Sequence, residues 1–170
     1  MIIYHGTILE IKEPKIIKSE TGRDFGFAFY STDIKEQAER WAIRKAKIER
    51  KKNESKGIDV PVRAIVNAYE WTQAKTLKEK HFDGASMEWL DMVVNCRGNI
   101  AFTHGYDIVS GKIANDNVGE TVSYVMQGIM RKEDAIERLK FEKINNQIAF
   151  CSEESLKELT FIESYEVEVK

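Results

Sequence analysis

Two stretches near the N-terminus, MIIYHGTILEI at residues 1–11 and DFGFAFYST at residues 24–32, decide how the rest of the chain is interpreted. The first opens with apolar residues that predict a short buried strand, ended by Gly6. In the second, three phenylalanines alternate along a predicted strand and therefore share one face, so Tyr30 should point to the other. Each stretch thus predicts a strand with a functional side chain near its end, His5 in the first and Tyr30 in the second.

The composition is typical of a soluble globular protein with one domain. Of the 170 residues, 42% are apolar and 32% are charged, and a domain of this length buries roughly two-thirds of its unfolded surface. No Ser/Gly-rich linker or internal repeat interrupts the sequence. We therefore expect a single domain over residues 1–170. The formal net charge of −2 gives no overall attraction to nucleic acid, so such a partner would have to meet a local basic patch.

The cysteines and the apolar runs predict a reduced, cytoplasmic protein. The two cysteines, Cys96 and Cys151, are too few for a disulfide framework and lack the spacing of a metal or redox motif. The first apolar residues are followed at once by His5 and Gly6, which is unlike a secretory signal. No run approaches the roughly 20 apolar residues of a membrane span, so we expect no membrane contact.

The order of predicted elements indicates the fold class. The segment at 32–57 is the clearest helix, with Thr32 or Asp33 as its cap. Strands at both ends and in the middle, with helices between them, favour an α+β fold over a doubly wound sheet. The further predicted strands are 60–71, 106–114, 145–152 and 160–169, and the further helical segments are 86–98, 120–130, 131–144 and 153–159.

Several common kinds of site are not predicted. The sequence has no GxxxxGK[ST] loop and no GxGxxG after its first strand, which argues against P-loop and Rossmann nucleotide sites. The three histidines show neither HExxH nor Cys/His metal spacing, so we predict no metal site. The basic run RKAKIERKKNESK at 44–56 could meet nucleic acid or an acidic protein, or could be a solvated helix end.

Three separated positions are the candidate site residues. His5 places an imidazole beside a glycine, where a ligand can approach the backbone closely, although a histidine that satisfies a local carbonyl would look the same. Tyr30 offers a ring for stacking and a hydroxyl, or it is a core aromatic. Gln147 begins a late strand and could point into the same cleft, or it simply starts an ordinary strand.

These blocks together resemble a known family. YHGT, DFGFAFYST running into QAERWA, WLDMVVNCR, YDIVSGKIANDN and NNQIAFCSEESLKELTFI are similar to a bacterial domain-of-unknown-function family within the ADP-ribosyltransferase superfamily, over nearly the whole chain. The resemblance implies a split, two-sheet β core with flanking helices and NAD as co-substrate. It also implies a signature of His, Tyr and Glu on three strands.

The resemblance implies a role for each matching residue. His5 would bind a hydroxyl of the nicotinamide-side ribose, Gly6 would hold the carboxamide through its backbone, and Tyr30 would stack on the nicotinamide. Apart from the resemblance, Asp91 and Arg97 could form an ion pair or reach the phosphates, and Arg97 is the better phosphate candidate because a guanidinium suits bidentate binding. The predicted cofactor-binding set is His5, Gly6, Thr7, Tyr30, Ser31, Thr32 and Arg97.

Gln147 departs from the signature, since the family branch has glutamate there. A carboxylate stabilises the oxocarbenium character that develops when the nicotinamide–ribose bond breaks, and preorganised charge of this kind is worth several kcal/mol. Glu153 or Glu154 could supply that charge instead, because regular strand parity would place Glu153 on the same side as Gln147. The implied catalytic set is His5, Tyr30, Gln147, Glu153 and Glu154, and Gln147→Glu is expected to preserve or raise NAD cleavage.

The sequence leaves three functions open. The first is an NAD-dependent ADP-ribosyltransferase that modifies a macromolecule, protein or nucleic acid, as a toxin or phage-defence effector with a neutralising partner protein. The second is a binding module that keeps an NAD or ADP-ribose pocket without turnover, which Gln147 favours. The third is an NAD glycohydrolase, with water as the acceptor.

Overall fold

The structure is a computed structural model, and it describes residues 1–19, 22–112, 116–140 and 145–169. Within these ranges the strands are β1 (Ile2–Thr7), β2 (Phe29–Ser31), β3 (Ala64–Trp71), β4 (Glu79–His81), β5 (Ile108–Gly111), β6 (Gln147–Phe150) and β7 (Leu159–Val167). The helices are α1 (Lys35–Ser55), α2 (Met87–Gly98), α3 (Asp116–Met126), α4 (Lys132–Leu139) and α5 (Glu153–Leu156).

The chain divides into two compact units. The first is built from Met1–Pro14, Tyr30–Ala74 and Lys157–Lys170, and the second from Lys15–Phe29 and Lys75–Leu156. The expectation of a single domain stays a prediction.

The first unit contains an antiparallel sheet with strand order β1-β3-β7. Helix α1 packs on this sheet through small side chains, and the shared core is Ala38, Ala42, Ala46, Ala64 and Val66. Alanines allow the helix backbone to approach the strands closely. The approach is close at Gly6 on β1, where a Cβ atom would lie 2.0 Å from the carbonyl oxygen of Ala38.

The other sheet has the strand order β2-β6-β5-β4, and its strands β4, β5 and β6 lie in the second unit. Strands β5 and β6 run antiparallel, and β4 and β5 run parallel with α2 as their crossover. Trp89 on α2 is fully buried, and its indole N–H donates to the carbonyl of Lys112 at 3.1 Å. The apolar faces of α2 and of β5 and β6 therefore form the core of this unit.

The predicted α+β class is confirmed, with two sheets and five helices in the described ranges. The short strand β4 was not predicted, because the polar triplet Glu79–His81 shows no strand pattern. Two predicted elements lie partly outside the described residues. The strand predicted at 106–114 is described only up to residue 112, and the helix predicted at 131–144 only up to residue 140.

Two local expectations about the N-terminal region are wrong. The first strand continues through Gly6 to Thr7, so His5 and Gly6 lie inside it. The N-cap of α1 is Ile34, whose hydrocarbon side chain cannot make a cap bond. The Thr32 hydroxyl accepts from the backbone N–H of Ile34, ahead of the helix. No helix in the ranges that the structure describes is long and apolar enough to cross a membrane.

Candidate functional site

His5 is held by the backbone of Tyr30. The His5 side chain lies on β1 and is nearly fully buried, and its Nδ1 is 2.6 Å from the carbonyl oxygen of Tyr30. A carbonyl oxygen can only accept, so Nδ1 carries the proton in this bond. In the neutral ring, Nε2 is then the acceptor nitrogen. The structure thus brings His5 and Tyr30 together and sets the tautomer of the imidazole.

The pairing between β1 and the segment after Tyr30 breaks at this point. Tyr4 and Thr32 exchange two backbone bonds of 2.8 and 2.9 Å, which makes them a hydrogen-bonded antiparallel pair. If the register continued, Tyr30 would be the partner of Gly6. The carbonyl of Tyr30 instead accepts from the imidazole of His5. The two segments therefore separate beyond Tyr4 and Thr32.

This separation leaves the peptide groups of Gly6 at an open strand edge. Successive residues of a strand direct their N–H and C=O groups to opposite sides, so the groups of Gly6 point the same way as those of Tyr4, away from β3. The Gly6 carbonyl accepts from Lys45 Nζ at 2.9 Å. No acceptor within the described residues is recorded for the Gly6 N–H at this edge. The edge therefore offers a donor and an acceptor side by side.

The neighbouring residues of the predicted cofactor-binding set lie in the same unit. The side chain of Tyr30 is half-buried, whereas Ser31 and Thr32 are fully buried. Thr7 ends β1 opposite Ile65. Ser31 and Thr32 thus have packing and backbone roles in the structure, and their predicted contact with a ribose stays a prediction.

Gln147 belongs to a buried polar cluster in the second unit. Its side-chain Nε2 donates to Asp24 Oδ2 at 3.0 Å and lies 3.4 Å from the carbonyl oxygen of Lys112. Arg97 Nε donates to the other oxygen of Asp24 at 2.6 Å. The side chain of Gln147 is 5% exposed and that of Asp24 is 7% exposed. The carboxylate of this cluster therefore comes from Asp24, and Gln147 serves it as a donor.

This cluster bears on the phosphate contact predicted for Arg97. The Nε atom is engaged by Asp24, so a bidentate phosphate contact would have to use the two terminal nitrogens. The side chain is 29% exposed, which leaves part of the guanidinium at the surface. The phosphate contact stays a prediction.

The premise that would align Glu153 with Gln147 is wrong. Strand β6 ends at Phe150, and residues from Glu153 onward form α5, so the alternation of the strand does not reach Glu153. Ser152 and Ser155 exchange hydrogen bonds across the start of this helix, which explains why the strand stops. Both Glu153 and Glu154 are exposed, and a catalytic role for either stays a prediction.

The cysteines are thiols rather than activated nucleophiles. Burial raises the pKa of Cys96 to about 11, and the nearby Asp24 carboxylate adds to the shift. Burial likewise raises the pKa of Cys151 to about 12. A thiol is a nucleophile only as the thiolate, so neither side chain is suited to covalent catalysis at neutral pH. The side chain of Cys96 is buried, whereas that of Cys151 is half-buried.

The basic run at 44–56 is helical as far as Ser55. Part of it lines a groove of about 490 Å³ on the surface of α1, formed by Arg40, Ile43, Arg44, Lys47, Ile48 and Lys51. Arg40, Arg44, Lys47 and Lys51 follow one another at intervals of four, three and four, so they share one helix face. The run is thus a solvated, cationic helix face, and its contact with a macromolecule stays a prediction.

Two residues of these clusters were not singled out by the sequence. Asp24 opens the quoted block DFGFAFYST, but a single aspartate before a strand carries no signal of a partner 123 positions away. Lys45 lies within the predicted helix at 32–57, and nothing local indicates that it reaches β1. Both contacts depend on the tertiary fold.

The comparisons with known proteins place the chain in a family without assigning an activity. No curated protein and no solved structure matches it. A family model with the description "Protein of unknown function (DUF3990)" matches residues 1–161. This match covers all but the last nine residues of the 170. The chain therefore belongs to the DUF3990 family.

Proposed function

We propose that this protein is an NAD-dependent ADP-ribosyltransferase that moves ADP-ribose from NAD to a macromolecular acceptor, a protein or a nucleic acid. The observation that carries the proposal is the open edge at Gly6, beside an imidazole that the backbone of Tyr30 holds in one tautomer. The two-sheet α+β fold would then be of the split ADP-ribosyltransferase type. The protein would act in the cytoplasm as a toxin or defence effector restrained by a neutralising partner protein.

The open edge suits a carboxamide because the chemistry of the two groups is complementary. The Gly6 N–H can donate to the carboxamide oxygen of nicotinamide, and the Gly6 carbonyl can accept from its NH₂ group. A carbonyl oxygen has two lone pairs, so Lys45 and the ligand can share it. A side chain at this position is excluded by α1, so residue 6 presents only its peptide groups at the edge.

His5 and Tyr30 would also bind the nicotinamide riboside part of NAD. With Nδ1 donating to the Tyr30 carbonyl, the Nε2 atom of His5 has the lone pair needed to accept from a ribose hydroxyl. The ring of the same residue, Tyr30, offers a flat apolar surface for the nicotinamide. Both contacts orient the glycosidic bond that must break.

The reaction then depends on stabilising positive charge on the ribose. Loss of nicotinamide leaves oxocarbenium character at the anomeric carbon, and the acceptor nucleophile forms the new bond there and gives up its proton. The contributions of Gln147, Glu153, Glu154 and Arg97, all in the second unit, stay predictions. The carboxylate that the cluster around Gln147 contains is Asp24, already paired with Arg97.

This cluster favours a second candidate function. Gln147 carries no charge, and its amide is bound to Asp24, so the position of the family's glutamate supplies no negative charge. A protein that binds NAD or ADP-ribose without turnover would be consistent with this arrangement. The two functions differ in one measurable product, free nicotinamide.

The test is incubation with NAD labelled in its adenylate part, with and without cell lysate. Label on a polymer together with nicotinamide release supports the transferase. Binding without release supports the binding module, and free ADP-ribose shows a glycohydrolase. Absence of both binding and release would contradict the proposal.

His5→Ala is expected to lower nicotinamide release by about 100-fold or more, because removing one preorganised polar contact of this type typically costs 10²- to 10³-fold. Tyr30→Ala should lower it similarly, whereas Tyr30→Phe should keep most of it if the ring stacks. Lys12→Ala, on a side chain that is 70% exposed, is the control. Full activity of His5→Ala in a folded protein would show that the site is misassigned.

A further inference from the structure

A second group of chemically active side chains lies in the second unit, at the edge formed by β4 and β5. His81 is the last residue of β4, and its direct partner in the parallel register is Ser110, near the end of β5. Strand β4, helix α2 and strand β5 form a βαβ unit. Both residues lie at the carboxyl ends of these two parallel strands.

The hydrogen bonds of this group determine which atom carries each proton. His81 Nε2 lies 3.1 Å from Asp83 Oδ1, and His81 Nδ1 lies 2.8 Å from Ser110 Oγ. An ionised carboxylate can only accept, so Nε2 carries the proton. In the neutral imidazole, Nδ1 is then the acceptor, and the Ser110 hydroxyl must donate to it. Hydrogen bonds thus connect Ser110 to His81 and His81 to Asp83, in the order of a nucleophile, its base and a residue that orients the base.

We propose that Ser110 is a nucleophile, with His81 as its general base and Asp83 as a positioning residue, and that the site takes an acyl group from a carboxylic ester. The arrangement is the Ser–His–Asp logic of acyl transfer with the roles of the two ring nitrogens exchanged. It is independent of the NAD proposal, because it uses other residues and another reaction.

The proposed reaction consumes one ester and one water molecule. Ser110 Oγ forms a bond to the ester carbonyl carbon while its proton moves to His81 Nδ1. The tetrahedral intermediate collapses, the bond from carbon to the alcohol oxygen breaks, and His81 returns the proton to that oxygen. A water molecule then repeats the sequence on the acyl-serine, which releases the acid and restores the hydroxyl.

The location supports reaction with a ligand from solution. The side chain of His81 is 58% exposed and that of Asp83 is 98% exposed, so a small ester can reach the serine. The backbone is nevertheless fixed, because the N–H of Phe82 donates to the carbonyl of Ser110 at 2.9 Å. Exposed ion pairs contribute little to stability, so substitutions in this group should leave the protein folded.

The test is covalent labelling with a fluorophosphonate, followed by mass spectrometry of the labelled peptides. Ser123 is an internal control, because its hydroxyl accepts from Gln127 rather than facing an imidazole. Ser110 should react about 100-fold faster than Ser123 or more, since a positioned general base contributes 10²- to 10⁴-fold. His81→Gln should remove most of that advantage, and Asp83→Asn should remove part of it.

A second readout is the release of phenol from an aryl acetate, where one equivalent should appear in a burst that Ser110→Ala abolishes. The proposal is overturned if Ser110 and Ser123 are labelled at the same rate, or if His81→Gln leaves the labelling of Ser110 unchanged. Either result would mean that the bond between His81 and Ser110 only ties two strands together.

Discussion

Gln147→Glu is expected to destabilise the protein by about 3 to 5 kcal/mol, the usual range for leaving a buried charge uncompensated. Gln147 is 5% exposed, and its Nε2 donates to Asp24 Oδ2. An ionised glutamate has no donor to offer there. Two carboxylates would face each other in a buried site, with Arg97 as the cation recorded on Asp24.

Denaturant unfolding of the variant measures this loss directly. Gln127→Glu, in the turn that follows α3, is the matched control, because the same chemical change at an exposed side chain should alter the free energy of unfolding by less than about 0.5 kcal/mol. If Gln147→Glu unfolds at the same denaturant concentration as the parent protein, the hydrogen bond to Asp24 is not present in solution.

Combining Gln147→Glu with Asp24→Asn should recover stability relative to the single variant. The second substitution removes the opposing charge and restores an amide donor between the two side chains. A double-mutant cycle isolates this coupling, and contacting residues show interaction energies of about 0.5 to 3 kcal/mol. Simple additivity of the two losses would contradict the proposed pairing.

This prediction concerns stability, and the effect of glutamate on NAD cleavage stays a separate prediction. Glutamate at position 147 was expected to preserve or raise NAD cleavage, because the family branch uses a carboxylate there. In this chain Gln147 donates to the carboxylate of Asp24, so replacing Gln147 alone by glutamate removes that donor. The effect on cleavage should therefore be measured in the double variant, where folding and chemistry can be separated.

Elements with strong local signals could be predicted from the sequence. Helix α2 is an example, because Ser86 precedes its apolar residues and the Ser86 hydroxyl accepts from the backbone N–H of Trp89 at 3.1 Å. Such a cap acts within one turn of chain and leaves a recognisable pattern. The late strand β6 was likewise indicated by its run of apolar residues, all of them buried.

Contacts between distant parts of the chain could not be predicted in the same way. The block DFGFAFYST was expected to be one strand, yet only Phe29–Ser31 are in a strand. Phe25 is fully buried without belonging to one, so its apolar character reflects packing rather than alternation. The bond between Arg97 and Asp24 spans 73 positions, and no local pattern records which carboxylate an arginine will meet.

Gly6→Ala is the second substitution with a large expected effect, a loss of about 3 kcal/mol or more. The added Cβ atom would lie 2.0 Å from the Ala38 carbonyl oxygen and 2.8 Å from the Ala42 nitrogen. Both are backbone atoms of α1, so no side chain can rotate out of the way, and the helix itself would have to move. Overpacking of a well-packed core costs about 1 to 3 kcal/mol, occasionally more.

Thermal unfolding tests this prediction, with Gly98→Ala as the control. A Cβ atom at Gly98 meets nothing closer than the Met126 methyl carbon at 3.8 Å, and alanine in place of a helical glycine should stabilise by up to about 1 kcal/mol. For a protein of this size, 3 kcal/mol corresponds to a fall of about 6 to 12 °C in Tm. A Tm within about 2 °C of the parent would show that α1 does not press on β1 at this residue. In that case the packing of α1 would not explain why residue 6, in the proposed carboxamide site beside His5, is a glycine.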